Sequence, residues 1–136
     1  MNEYPFTSLV TLALVLLGVL LAKRVSTARL EFSQSDQPSV TQHSVEIYSD
    51  PKFMIAFRNQ MNLLEHLILF MPTLWIFAVG VSDGLAAIVG LGYFIGRVLY
   101  ARSYPHSHRV GFMLAWVSML VLMIGAVASS VYQLIA

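Results

Sequence analysis

Four long runs of apolar residues, separated by short polar or charged breaks, organise the chain. The first, Pro5 to Ala22, carries no charge and extends toward Arg29; the second, Phe53 to Val81, is apolar but contains Arg58 and Glu65. The third, Gly84 to Gly96, is uncharged and continues through Arg97 to about Tyr104, and the fourth, Val110 to Ala136, has no charged residue. A hydrocarbon core needs about 20 apolar residues per helix, and each run can supply them. The pattern predicts an all-α, integral membrane four-helix bundle in a single transmembrane domain over 1–136. Its helices fall at about 5–30, 53–81, 84–104 and 109–135, with a loop at about 31–52. The Val81–Gly84 connection is so short that the second and third helices must form an antiparallel hairpin. No period of 20–50 residues repeats, which argues against a solenoid.

Composition supports a bilayer as the solvent. Of 136 residues, 57% are hydrophobic and 11% charged, and the mean hydropathy is +0.72. A soluble domain carries about 25% charged residues, and one this small has too little interior to hide so much apolar surface. The net charge of +1 provides no concentrated basic patch for a nucleic-acid partner. Because cysteine is absent, disulfides, thiolate metal sites and a cysteine nucleophile are excluded. Met1-Asn2-Glu3 lacks a positive charge, and Lys23, Arg24 and Arg29 come after the first apolar run. The expectation there is a signal anchor and not a cleaved signal.

The positive charges are one-sided. All eight Lys and Arg residues fall in or beside the connections near 31–52 and 105–109, and none lies in the connection at 82–83. The positive-inside rule then places the first and third connections in the cytoplasm and both termini outside. Within the first connection, Ser33 to Ser39 is polar, whereas Val45, Ile47 and Tyr48 are apolar. Such a segment reads as a plain linker or as a lid folded over a site on the cytoplasmic face.

Polar residues inside the spans are the candidate chemistry. Arg58, Asn62 and Glu65 stand at i, i+4 and i+7, and Arg97, Tyr100 and Tyr104 at i, i+3 and i+7, so each set shares one helix face. Arg29 ends the first helix and Arg109 begins the fourth, at the same depth. Arg97, Arg102 and Lys23 can alternatively be interfacial anchors, with Tyr100 and Tyr104 an aromatic belt. Glu65 lies about three turns into its helix and needs a partner, with Arg58 or Arg97 the candidates; a purely structural ion pair is the competing reading. Together the set offers guanidiniums for carboxylates, a carboxylate for an ammonium, and an amide and two phenols for neutral hydrogen bonds. A zwitterionic molecule with several carboxylates, such as glutathione, matches that inventory.

Arg58 to Glu65 (Arg-Asn-Gln-Met-Asn-Leu-Leu-Glu), followed by Leu69-Phe70 and Thr73-Leu74-Trp75, resembles the second-helix signature of the MAPEG family, the membrane-associated proteins in eicosanoid and glutathione metabolism. Gly90 to Tyr100 with Tyr104 resembles the family's third helix, Ala28-Arg29-Leu30 the end of its first, and Arg109 to Phe112 the start of its fourth. The similarity spans nearly the whole chain in the right order. It implies a homotrimer with glutathione, the co-substrate, bound between neighbouring subunits. Arg58, Asn62, Glu65, Tyr100, Tyr104 and Arg109 match glutathione-binding positions of one subunit, and Arg29 and Gln60 match positions of the adjacent one. Gln60 lies two residues from both Arg58 and Asn62, which turns it away from their face.

The implied activity is that of a glutathione S-transferase. The thiol would be activated for attack on a lipophilic electrophile arriving from the bilayer, with or without peroxidase activity toward lipid hydroperoxides. Detoxification or eicosanoid-like metabolism is the implied setting. Arg109 is the candidate catalytic residue. Leu30 stands where one branch has a second arginine, His66 where some members have an aromatic that contacts glutathione, and Ile68 at the usual second-helix proline, with Pro72 a turn later. Competing readings are a non-catalytic lipid-binding member and, from another class, a small anion-transport component. The short end after the fourth helix points toward a bacterial inner membrane over the endoplasmic reticulum. His106-Ser107-His108 reads as a solvated turn and not a metal site, and Gly92-x-x-x-Gly96 as a close-packing signal.

Overall fold

The structure is a computed structural model describing residues 3–34 and 45–136. The reading of Met1-Asn2 and of the polar start of the first connection, residues 35–44, falls outside the described residues. Four helices follow in order: α1 (Pro5–Ser33), α2 (Pro51–Gly80), α3 (Asp83–Ser103) and α4 (Arg109–Ile135), with a 3₁₀ turn at Val45–Ser49 before α2. Each is long and apolar enough to cross a membrane. α1 and α4 occupy opposite corners of the bundle, and both pack on α2 and α3.

Local chemistry sets the helix ends. Pro51 opens α2 behind Asp50, whose carboxylate accepts from Phe53 N at 2.8 Å, the usual N-cap arrangement. Pro5 opens α1, and its first free amides are satisfied from another helix: Phe6 N and Thr7 N donate to the Asp83 carboxylate at 3.1 and 2.8 Å. Asp83 therefore ties the start of α1 to the start of α3, and its negative charge suits both N-termini.

Inside, Leu14, Phe70, Leu74, Tyr93 and Leu122 are fully buried and bring all four helices together. Phe70 and Tyr93 stack with ring centroids 3.6 Å apart. Only 28% to 44% of each apolar span is buried within the bundle, and Leu9, Leu16, Ile68, Ile88 and Ile124 are among the large side chains left facing outward. An apolar exterior on every side requires lipid or further protein around it.

The tightest crossing is between α3 and α4, as Gly92-x-x-x-Gly96 predicts. A Cβ on Gly96 would meet Ala115 N at 2.7 Å and Gly111 O at 2.8 Å, and one on Gly111 would meet Tyr100 N at 2.5 Å. Backbone cannot yield cheaply at such distances. Gly111→Val is expected to cost at least about 1–3 kcal/mol of stability, the usual penalty of overpacking, and to push Tyr100 away from the α4 start. A thermal transition in detergent unchanged from the parent would contradict this packing.

The described end of the first connection, Val45–Ser49, is packed against the helices. Ile47 is buried with Val25, Ala28 and Phe53, and the Tyr48 ring meets Phe53 and Phe57 edge-on at 5.6 and 6.0 Å. These apolar side chains dock the 3₁₀ turn against α1 and the start of α2.

Candidate functional site

The α2–α3 seam carries polar groups at successive levels. Asn59 Nδ2 donates to Ala101 O at 3.0 Å, from a buried position. One turn further along α2, Asn62 Oδ1 accepts from an Arg97 terminal nitrogen at 2.8 Å. Arg97 is 2% exposed, and its guanidinium carbon lies 4.8 Å from the Tyr100 ring centroid, over the ring. This cation–π contact offsets part of the cost of burying the charge. Arg97 Nε, Tyr93 OH and Asn59 Oδ1 are buried without a hydrogen-bond partner among the described residues.

From Tyr100 the cluster continues to the start of α4. Tyr104 stacks on Tyr100 at 5.5 Å, and the His108 ring stands 5.1 and 5.8 Å from Tyr100 and Tyr104. Arg109 follows as the first residue of α4 and is exposed. A helix N-terminus favours negative charge, so Arg109 and the first amides of α4 act in the same sense.

The structure thus brings Asn62, Arg97, Tyr100 and Tyr104 together. It leaves Arg58, Glu65 and Arg109 exposed on the outer surface. Tyr100, 6% exposed, is part of the interior and not an aromatic belt, and Arg97 is not an interfacial anchor. Glu65 finds neither expected partner: it makes no ion pair or hydrogen bond among the described residues. Arg58 is two helical turns away, about 10.5 Å along the axis, where side chains on one helix do not meet. Arg97 is already engaged inward by Asn62.

Arg29 and Gln60 stand apart from this cluster. Arg29 lies at the α1–α2 seam, its guanidinium 5.2 Å from the Phe53 ring centroid, and Gln60 is half-buried on a different side of α2 from Asn62. His66 is half-buried with its ring edge-on to Trp116 at 5.9 Å, linking α2 to α4. Among the described residues no three His, Asp or Glu converge as metal ligands.

Two contributors are absent from the sequence reading. Asn59 shares the inward stripe of α2 with Leu63 and Phe70, and a buried amide on such a stripe signals an interhelical hydrogen bond. His108 shares a turn with exposed His106, which the sequence reads as solvated; its ring instead packs against Tyr100 and Tyr104.

The fold and this cluster define a polytopic α-helical membrane protein with a polar site between its spans. Residues 7–128 match the MAPEG family, and the chain belongs to it. It is 33% identical over 136 residues to an uncharacterised protein of Synechocystis sp. (strain ATCC 27184 / PCC 6803 / Kazusa), covering 98% of this chain and 93% of that one. It is also 34% identical over 106 residues to leukotriene C4 synthase of Mus musculus, covering 78% of this chain and 65% of the enzyme. The Rattus norvegicus enzyme of that name is 34% identical over 111 residues, covering 80% and 69%.

Proposed function

We propose that the chain is a membrane glutathione S-transferase. It would bind glutathione against α2, α3 and the start of α4 and activate the thiol for attack on a lipophilic electrophile from the bilayer. The same thiolate can reduce lipid hydroperoxides. The observation that carries this reading is the buried Arg97 holding Asn62 and Tyr100, with Arg58 and Glu65 exposed one turn to either side of Asn62 on α2 and Arg109 exposed at the start of α4. Such a device orients neutral hydrogen-bonding groups next to charges of both signs, as a zwitterion with two carboxylates requires. In this role Arg97 positions Asn62 and Tyr100, while Arg58 and Glu65 meet the ligand's carboxylate and ammonium.

Membership of a family that includes leukotriene C4 synthase supports an enzyme over a lipid carrier. A charged side chain on the outer face of a membrane helix costs up to about 2.5–3.5 kcal/mol at the bilayer centre and less toward the ends, so Glu65, near the middle of α2, carries more of that cost than Arg58. Polar partners from a neighbouring copy would offset that cost, so the proposed working unit is a homotrimer, with Arg29 and Gln60 of one copy serving the site of the next. The proposed topology keeps both termini outside and the site toward the cytoplasm, in a bacterial inner membrane.

The test is conjugation of glutathione to a lipophilic aryl halide by the purified protein in native-like lipid, with native mass spectrometry for subunit number. Glutathione-dependent product from a three-chain species is expected. Absence of both glutathione binding and product in that lipid would overturn the reading in favour of a lipid-binding role.

A further inference from the structure

We propose that the groove between α1 and α3 is a binding site for one anionic phospholipid, separate from the polar cluster. The groove has a volume of about 410 Å³. Leu16, Leu17, Leu20 and Leu21 of α1 and Phe94 and Val98 of α3 form its walls, and two arginines, Arg24 and Arg102, line it as well. No acidic side chain lines it. Because α1 and α4 sit at opposite corners of the bundle, this groove opens on the opposite side from the α2–α4 seam.

The two arginines stand at the same level and the same end. Leu17, Leu21 and Ala101 share one buried cluster; Arg24 follows Leu21 by one helical turn, and Arg102 follows Ala101 directly. Both guanidiniums are exposed, and neither makes an ion pair or hydrogen bond among the described residues. Their charges are therefore available to a phosphate, with the fork geometry that suits it.

Depth argues for a lipid in place of a small soluble anion. From Ala13, the lining residue nearest the bundle middle, to Arg24 is eleven residues, or about 16 Å of helix. That is about half of a 30 Å hydrocarbon core, the depth of one leaflet. An acyl chain lying along the leucines would thus bring its headgroup phosphate to the arginines, where basic side chains between membrane helices capture anionic headgroups. Ala101 also holds Asn59 through its carbonyl at 3.0 Å, so the lipid would brace the stretch of α3 that carries Arg97 and Tyr100. The proposal stands whether or not the chain binds glutathione.

Native mass spectrometry of the full chain, titrated with phosphatidylglycerol and phosphatidylcholine of matched acyl chains, tests it. Phosphatidylglycerol is expected to bind about 30-fold more tightly, since each of the two arginines near the headgroup adds about 1 kcal/mol, or about fivefold. The double variant Arg24→Gln/Arg102→Gln should bring it to the phosphatidylcholine level, and Arg24→Lys/Arg102→Lys should keep most of the preference. Ala13→Trp, which fills the far end of the groove, should weaken both lipids. Equal binding of the two lipids by the parent, or an undiminished preference in the glutamine variant, would overturn the site. Because the parent lacks cysteine, Val98→Cys gives a single thiol; its cross-linking to a second chain in lipid would also overturn it, since the groove would then be a subunit contact. Should the glutamine variant fail to fold, the parent's lipid preference and the Val98→Cys result decide alone.

Discussion

Arg109→Leu is expected to lower turnover at neutral pH by about 10²–10³ while leaving glutathione binding largely intact. A free thiol titrates near 8.5, and a working transferase needs it ionised near neutrality. Moving that value to about 6 takes roughly 3–4 kcal/mol of selective stabilisation of the thiolate, at 1.36 kcal/mol per pKa unit. A single guanidinium in a water-poor site is strong enough to supply this, and losing one preorganised charge donor of this kind typically costs 10²–10³ in rate. Arg109 stands at the first turn of α4, where the helix N-terminus adds potential of the same sign; it is exposed in the single chain, and the neighbouring copy of the proposed assembly would exclude water from it. In the parent the thiolate should be stabilised and the rate flat above about pH 6–7. In Arg109→Leu the thiol reverts toward 8.5, so the rate climbs through that region and the deficit narrows with rising pH. Ultraviolet thiolate absorbance on glutathione addition, lost in the variant while calorimetric binding persists, is the direct measurement. Retained absorbance would assign the thiol to another group.

The degree to which this site was readable before the structure depends on what each signal measures. Hydropathy counts residues per span, so the four helices match expectation within three residues at each end: α1 continues to Ser33 past Arg29, and α2 begins at Pro51. Both extensions run beyond the apolar runs, where tertiary packing of the Ile47–Phe53 cluster decides and composition is silent. Helical periodicity fixes a face but not what that face meets. It sets Arg97 with Tyr100 and Tyr104, and Arg58 with Asn62 and Glu65, each on one helix face. It could not show that Arg97 turns inward to Asn62, leaving Glu65 on the outside. That outcome depends on the azimuth of α3 against α2, set by the Phe70–Tyr93 stack and the Gly96–Gly111 crossing. His108 escaped notice because a short turn between helices looks the same in sequence whether its rings pack or dangle. Asp83 escaped notice because its role is to cap a helix 76 residues away, and capping signals are read locally.

Glu65→Gln and Arg58→Ala are expected to weaken glutathione by about 100-fold or more, with the electrophile's own affinity unchanged. Truncating one partner of a desolvated charge pair costs about 2–5 kcal/mol, much of it from the charge left unpaired. Both side chains are exposed in the single chain; under the proposed assembly a neighbouring copy desolvates them, and the penalty applies in full. The two variants must fail for opposite reasons, because Arg58 would hold a carboxylate and Glu65 the ammonium. A glutathione analogue lacking the amino group separates the roles. The parent should bind that analogue poorly, since Glu65 then faces no cation. In Glu65→Gln, which presents no charge, removing the amino group should cost little further, so the two losses are strongly non-additive. Arg58→Ala should show the reverse, losing affinity for both ligands by similar factors. Additive losses in Glu65→Gln would mean that Glu65 acts at a distance, as a structural charge between subunits. Its substitution should then dissociate the proposed trimer, and a shift of the native mass toward single chains would reveal it.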